Sequence, residues 1–450
     1  MRMQKQKIYN IRDLGAVGDG RADDTEAIQN AIDLCSGEGG GKVLCPPGIY
    51  SIRPLVLRSS VNLHLEENAL LRGSANPEHY PEWSSQFINV ESAPYNARYL
   101  MIAENERDIS ITGKGAINGQ GPAHYDTSKK EGLFWKINDR ATRPGRMIWF
   151  IGCRNISIEE TTFVESPAWT FWMLGCENVT FHKVTIKTPF EEMNADGIDI
   201  DCCRKVRISH CDIRTGDDCI VLRGLNRALH ETRFCEQVTV ENCTLESNCN
   251  AIRISYVRDG TIRNSTFSNI SISHSRRGII CQIPTAKVLL DDPEPNHLDD
   301  DKQIGISVPV VENICFQNIS IQAQQPIWFY LDDAAAAHRI ANIRFENLTL
   351  DGPTASVFKG NKNTLLENIS LHNIHSTIRN KPTFWGSSAD LAETALGFEV
   401  AYCRNLQVSN FIVEGHNELK SEDAPVFYIQ RSSEIYISQL INDTPNPDTN

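Results

Sequence analysis

Residues 194–223 read NADGIDIDCCRKVRISHCDIRTGDDCIVLR, and their pattern decides the fold. Two aspartate clusters, Asp196 and then Asp217 with Asp218, each run directly into an alternating apolar strand. Ile198 and Ile200 follow the first; Ile220 and Leu222 follow the second. Asp196 and Asp218 stand 22 residues apart. A period of that size is one coil of a solenoid, in which a residue stacks on its equivalent one coil later. Neighbouring parallel strands lie ~4.8 Å apart, so the spacing sets three carboxylates side by side on one outer face. Like charges at that range raise one another's pKa. One protonated carboxyl beside two ionised ones is the arrangement an inverting glycosidase needs. Asp-Gly and Gly-Asp-Asp are also ordinary turn residues at coil corners, and at this level both readings stand.

Working outward, a phrase built on Asn-(Val or Ile)-x-(Ile or Phe), followed by a second short strand, recurs through the chain. It appears as CRNISIEETTF, CENVTFHKVTI, CRKVRISHCDI, CEQVTVENCTL, VRDGTIRNSTF, VENICFQNISI, IANIRFENLTL and CRNLQVSNFIV. The equivalent positions are Asn155, Asn178, Lys205, Gln237, Gly260, Asn313, Asn342 and Asn405. Units of two or three short strands joined by polar turns describe a parallel β-helix; propeller blades need roughly 40–50 residues each. The class expected is therefore all-β, a single-stranded parallel β-helix forming one domain over residues 1–450. The repeated asparagine reads as a stacked side-chain ladder.

The ends and insertions fit that frame. YNIRDLGAVGDGRA, from Tyr9, is a strand and a glycine-rich turn. A helix over about 22–36 follows, with Ala27, Ile28, Ala31, Ile32 and Cys35 on one face and Asp23 or Asp24 as its cap. It is read as an N-terminal cap over strand edges that would otherwise invite aggregation. GEGGGK ends it and lacks the P-loop pattern; KVLCPPGIYSI is strand, turn, strand. Three insertions, 123–146, 284–303 and 378–393, are expected near a cleft, because long loops on a rigid scaffold tend to wall binding sites. Residues 442–450 read as a tail.

The formal charge of −13 argues against a nucleic-acid partner, and it requires a local cluster of cations to meet any anionic substrate. The 14 cysteines are scattered, without paired zinc spacing, and read as buried thiols in a reducing compartment. No metal or cofactor is expected. The opening MRMQKQKIYNIRDLG has no apolar leader, and no run approaches the ~20 apolar residues of a membrane span. These features predict a cytoplasmic protein without a membrane partner.

Aligning strands on their apolar residues stacks DGIDID from Asp196, DCIVLR from Asp218, NAIRIS from Asn250 and RGIICQ from Arg277. Ile198, Ile220, Ile252 and Ile279 then face the core. Asp196, Asp218, Asn250 and Arg277 form one outward column, and Asp199, Val221, Arg253 and Ile280 a second. Asp196, Asp217 and Asp218 are the candidate catalytic residues. Asn194, Asp199, Arg223, Asn250, Arg253, Arg277 and Gln282 are the candidate contacts to an oligosaccharide. Trp169 and Trp172, just before the catalytic coil, suit either a sugar platform or packing. His182 and His210 read as stacked or solvated.

The opening YNIRDLGAVGDGRADDTEAIQNAID, the central SPAWTFWMLGCENVTF, and the pair NADG and GDDC resemble glycoside hydrolase family 28, the polygalacturonases and their relatives. The likeness runs over most of residues 8–440. It implies a right-handed parallel β-helix and inverting hydrolysis of pectic glycosides. Asp217 would then be the general acid, while Asp196 and Asp218 would hold and deprotonate the attacking water. Two departures stand out. The family's Gly-His-Gly place reads Cys249-Asn250-Ala251, and its Arg-Ile-Lys place reads Ile280-Cys281-Gln282. Arg253, Arg276 or Arg277 could restore a cation, and His230 the missing histidine. The pattern implies a glycosidase on pectic or related oligosaccharides other than plain polygalacturonate. The alternatives are a lyase on the same scaffold, a glycan-binding β-helix without catalysis, and an inactive copy.

Overall fold

The computed structural model describes residues 7–85, 97–224, 226, 229, 231–255, 260–283, 310–332, 339–378, 397–415 and 426–442. The chain is a parallel β-helix, and its contacts divide it into two compact units. Unit 1 is Met1–Ile220 with Asn226–Arg233; unit 2 is Val221–Leu225 with Phe234–Asn450.

In unit 1 each coil carries three short strands, and like strands pair in parallel from coil to coil. One stack runs Tyr99–Glu104, Arg146–Ile151, Trp169–Leu174, Ile198–Asp201. The second runs Val61–Leu65, Arg107–Thr112, Arg154–Glu159, Glu177–His182, Arg204–Ser209. The third runs Ala69–Gly73, Ala116–Asn118, Thr162–Val164, Thr185–Lys187, Asp212–Thr215. Alternation decides which residues go in. Ile109, Ile156, Val179 and Val206 lie in one register, as do Ile111, Ile158, Phe181 and Ile208, and all eight are buried. Each such side chain contributes roughly 1.5–3 kcal/mol on burial.

The cap helix spans Thr25–Gly37, shifted toward the C-terminus from the expected 22–36. Ile28, Ala31, Ile32 and Cys35 of the expected face are buried, while Ala27 is only half-buried. Asp24 occupies the cap position without capping; its carboxylate accepts instead from the N–H groups of Val17 at 2.6 Å and Gly18 at 3.2 Å. Asp23 accepts from the Thr25 N–H at 3.1 Å. No helix among the described residues is long and apolar enough to cross a membrane.

Unit 2 continues the same grammar in longer strands, including Cys235–Ile254, Thr261–Ile283, Val310–Leu331, Arg339–Gly352, Leu366–Ile378 and Cys403–Gly415. Its interior holds two phenylalanine stacks. Phe316 lies 5.0 Å from Phe267 and 5.1 Å from Phe345, and Phe398 lies 5.2 Å from Phe358, ring on ring.

The asparagine ladder is present. In unit 2 the Nδ2 of Asn313, Asn342, Asn368 and Asn405 each donates to the Oδ1 of its equivalent one coil earlier, at 2.8–3.1 Å. Each sits at φ between 54° and 58°, left-handed backbone that asparagine tolerates better than most residues. The ladder corrects one register: its member in VRDGTIRNSTF is Asn264 (φ 53°), four residues beyond the expected Gly260. A second ladder runs through Asn242, Asn269, Asn318, Asn347, Asn373 and Asn410.

Candidate active site

The catalytic stretch is built by strand pairing within unit 1. The Ile198–Asp201 strand lies beside Trp169–Leu174, with Phe171 opposite Ile198 and Trp172 opposite Asp199. On its other side the Gly197 N–H donates to the Asp218 carbonyl at 2.8 Å and the Ile198 N–H to the Cys219 carbonyl at 2.9 Å. These bonds set Ile198 opposite Ile220, the register expected. The glycines of both motifs are required by close approach. A Cβ on Gly197 would lie 2.4 Å from the Cys219 carbonyl oxygen, and one on Gly216 2.2 Å from that of Glu192. The turn reading of these motifs is thus correct for the glycines and leaves the aspartates to be explained.

Asp196 and Asp218 are buried, at 5% and 1% exposed, while Asp217 is half-buried. A carboxylate oxygen of Asp217 and one of Asp218 lie within 4.8 Å of each other. The Asp217 Oδ2 accepts the Asn194 backbone N–H at 3.1 Å, and its own N–H reaches the Ala195 carbonyl at 3.4 Å. The Thr215 hydroxyl donates to the Asp217 carbonyl at 2.7 Å, and Thr188 Oγ1 accepts the Gly216 N–H at 2.9 Å. The structure therefore brings together Asn194, Asp196, Asp217 and Asp218. Asn194 itself is left-handed, with φ 59°.

Behind this turn lies a polar layer that sequence reading missed. Residues 123–146 contain an antiparallel hairpin, Tyr125–Glu131 with Phe134–Ile137. Arg143, at its far end and 3% exposed, donates from Nη1 to the Tyr125 hydroxyl at 2.6 Å and the Met193 carbonyl at 2.9 Å, and from Nη2 to Asn194 Oδ1 at 3.2 Å. Burial, foremost, pushes the Tyr125 phenol up, with Glu192 and Asp217 adding to it against the Arg143 charge. Glu192 is fully buried, and neither carboxyl oxygen has a hydrogen-bond partner among the described residues. Burial first, then the Glu165 charge, raises it well above the usual carboxyl range. No periodicity marks these residues, because their partners lie some fifty residues further along the chain.

Trp169 and Trp172 resolve toward packing. Trp172 is fully buried and stacks on Trp149 at 5.0 Å; the equally buried Arg146 guanidinium lies 4.5 Å from the Trp172 ring centre. The Trp172 indole donates to Asp201 Oδ2 at 3.3 Å. Asp199, 1% exposed, lies opposite Trp172 in this layer. His182 and His210 are stacked edge to face at 5.3 Å.

In unit 2, Asn250 pairs with Arg277 and Arg253 with Ile280, as aligned. Arg277 is buried, and its guanidinium covers the Trp328 ring at 3.7 Å. Ile280 is not an exposed outward residue: it packs under Trp328 and Val357. Gln282 lies opposite Tyr330, whose ring carries Lys359 Nζ at 4.9 Å. Arg223 is half-buried. Tyr330 and Lys359 were not singled out from sequence; PIWFYL, from Pro326, reads simply as an apolar strand. His230, the insertion 284–303 and all of the insertion 378–393 but Ile378 lie outside the described residues.

The profile of Glycosyl hydrolases family 28 matches residues 84–233, which hold all three aspartates. Over that third of its length the chain is similar to glycosyl hydrolases family 28. A second profile, Rhamnogalacturonase A/epimerase, pectate lyase-like, matches residues 8–75. A probable polygalacturonase of Vitis vinifera is 31% identical over 226 residues, 48% of this chain and 44% of that protein. A probable polygalacturonase of Arabidopsis thaliana is 27% identical, over 60% of each chain. The chain thus spans about half the length of these plant relatives. A family 28 exopolygalacturonase of Yersinia enterocolitica shares the fold, with a TM-score of 0.70 at 19% identity over 96% of this chain and 78% of that one.

These relatives correct the expected cytoplasmic location. Polygalacturonases are secreted or cell-wall enzymes. The missing apolar leader was a statement about the first residues of this sequence, and it does not outweigh the setting of the relatives.

Proposed function

We propose that the chain is a glycoside hydrolase acting on pectic or related oligosaccharides, with Asp196, Asp217 and Asp218 as its catalytic residues. The observation that carries this reading is the junction of the three aspartates at one turn of unit 1, with a backbone N–H directed at Asp217 Oδ2. Asp217, the most exposed of the three, is the general acid. It protonates the glycosidic oxygen as the bond to the anomeric carbon breaks. Asp196 and Asp218 hold a water and take its proton as its oxygen bonds that carbon.

Inversion is proposed from the family likeness. Asp217 and Asp218 approach more closely than the ~6.5–9.5 Å usual for an inverting acid and base. On this reading they are not the pair that brackets the water alone, and Asp196 shares the base role. Asn194 and Asp199, in unit 1, are proposed as sugar-contacting or supporting residues; for Arg223, Asn250, Arg253, Arg277 and Gln282, which lie in unit 2, that role is proposed from the sequence register alone. The altered Gly-His-Gly and Arg-Ile-Lys places favour a substrate other than plain polygalacturonate. The hairpin of the 123–146 insertion, docked on the catalytic turn, supports action on chain ends or short oligosaccharides.

The test is product analysis on pectic oligosaccharides, with and without calcium. Saturated products of inverted anomeric configuration by proton NMR, formed without calcium, are expected. Unsaturated products would replace this reading with a lyase, and no product from any pectic substrate would remove it. Reducing ends should accumulate from pectin without rapid loss of viscosity; early viscosity loss would refute the chain-end preference.

A further inference from the structure

Resting on the reading of Asp217 as general acid, we infer that Arg143 is a positioning residue that fixes which Asp217 oxygen carries the transferable proton. The Asn194 N–H donates to Asp217 Oδ2 at 3.1 Å. A backbone N–H cannot accept a hydrogen bond. When Asp217 is neutral, its proton therefore sits on Oδ1, the oxygen that must face the leaving group. After transfer, the same N–H stabilises the carboxylate left behind. The direction of this N–H thus bears on both states of the acid.

That direction is imposed from outside the coil. Asn194 holds left-handed backbone, φ 59°, which asparagine tolerates. Arg143 fixes how that turn is oriented. Its planar fork grips two consecutive residues, with Nη1 on the Met193 carbonyl at 2.9 Å and Nη2 on Asn194 Oδ1 at 3.2 Å. The Tyr125 hydroxyl, 2.6 Å from Nη1 and 2.7 Å from the same Met193 carbonyl, closes the triangle. The hairpin carrying Tyr125 docks on the same turn, with the Trp135 N–H donating to the Glu191 carbonyl at 2.7 Å. Arg143 is buried, so this grip is not diluted by solvent. An ammonium group at position 143 keeps the charge but has no rigid fork to span both acceptors.

The experiment compares the 4-nitrophenyl glycoside of the best-cleaved sugar with the corresponding methyl glycoside. The proteins are wild type, Arg143→Lys, Arg143→Met, Tyr125→Phe and Asp217→Asn. Arg143→Lys and Arg143→Met should lower kcat on the methyl glycoside about 10²-fold, the order expected for a misplaced reacting group. KM should stay nearly constant, and the nitrophenyl substrate should lose far less. Tyr125→Phe, which keeps the ring and removes only the hydroxyl, should show the same split at smaller size even if the arginine variants fail to fold. Equal losses on both substrates, or a rise in KM alone, would overturn the inference. If Asp217→Asn shows the split and the Arg143 and Tyr125 variants do not, this inference falls by itself. If Asp217→Asn shows none, the general-acid reading falls with it.

Discussion

Two titratable side chains buried in unit 1 give the protein's stability opposing pH dependences. His124 is 3% exposed, and burial, helped by the Arg143 charge, lowers its pKa to about 4. Its unfolded value is about 6.5. Between those values the unfolded chain binds more protons, so this contribution is full above about pH 6.5 and is lost as pH falls toward 4. Glu192 is shifted the other way, with its folded pKa above the unfolded value of about 4.3. Its folded form keeps a proton that the unfolded chain releases, so its contribution falls as pH rises above that value. His124→Phe, which retains an aromatic ring against Tyr80, should flatten the rise of Tm between pH 4 and 6.5. Glu192→Gln should remove a decline at higher pH. Thermal melts across pH check both, and unchanged profiles would contradict these assignments. Neither group was legible in the sequence, where a lone histidine or glutamate carries no sign of its burial. The aspartates were legible, because flanking glycines and alternating isoleucines mark their coil. Arg143 was not, since an insertion has no period to place it.

At the scale of elements, the repeat itself was readable because one backbone geometry recurs. Among the described residues coil after coil bends through a left-handed residue, and asparagine, where present, meets that need while its amide bonds to the coil before. The Gly260 misreading has the same cause: glycine also suits left-handed backbone, so it competed with Asn264, four residues on, for the register. The ladder predicts an order of substitutions at Asn342, whose amide both donates to Asn313 and accepts from Asn368 at 2.9 Å. Asn342→Gly keeps the backbone and loses two hydrogen bonds, a cost of about 1–2 kcal/mol. Asn342→Ala adds a left-handed penalty of about 1 kcal/mol more. Denaturant unfolding should therefore rank wild type above glycine and glycine above alanine, and alanine ranking above glycine would refute the ladder account. The cysteines are a third regularity. The thiols of Cys153, Cys176 and Cys203 each donate to a carbonyl of the preceding coil, those of Ala103, Phe150 and Met173, at 3.2–3.4 Å.

For the molecule as a whole, those thiols matter for where it works. None of the 14 cysteines is in a disulfide, and all but Cys249 are buried. The protein draws its stability from stacked apolar columns and amide ladders, with no contribution from disulfides. Thermal melts with and without reductant should coincide, and a reductant-dependent drop in Tm would contradict this. The composition, charge and repeat revealed the fold class but not the compartment, because the setting in which a β-helix works leaves no mark on its packing. The central claim is that this β-helix hydrolyses glycosides with Asp217 as the acid. The most direct measurement is kcat of Asp217→Asn on an unactivated pectic oligosaccharide and on a nitrophenyl glycoside. A fall of about 10²–10⁴-fold on the first, with a much smaller one on the second, is the predicted result. Near-normal turnover of the oligosaccharide by Asp217→Asn would contradict it.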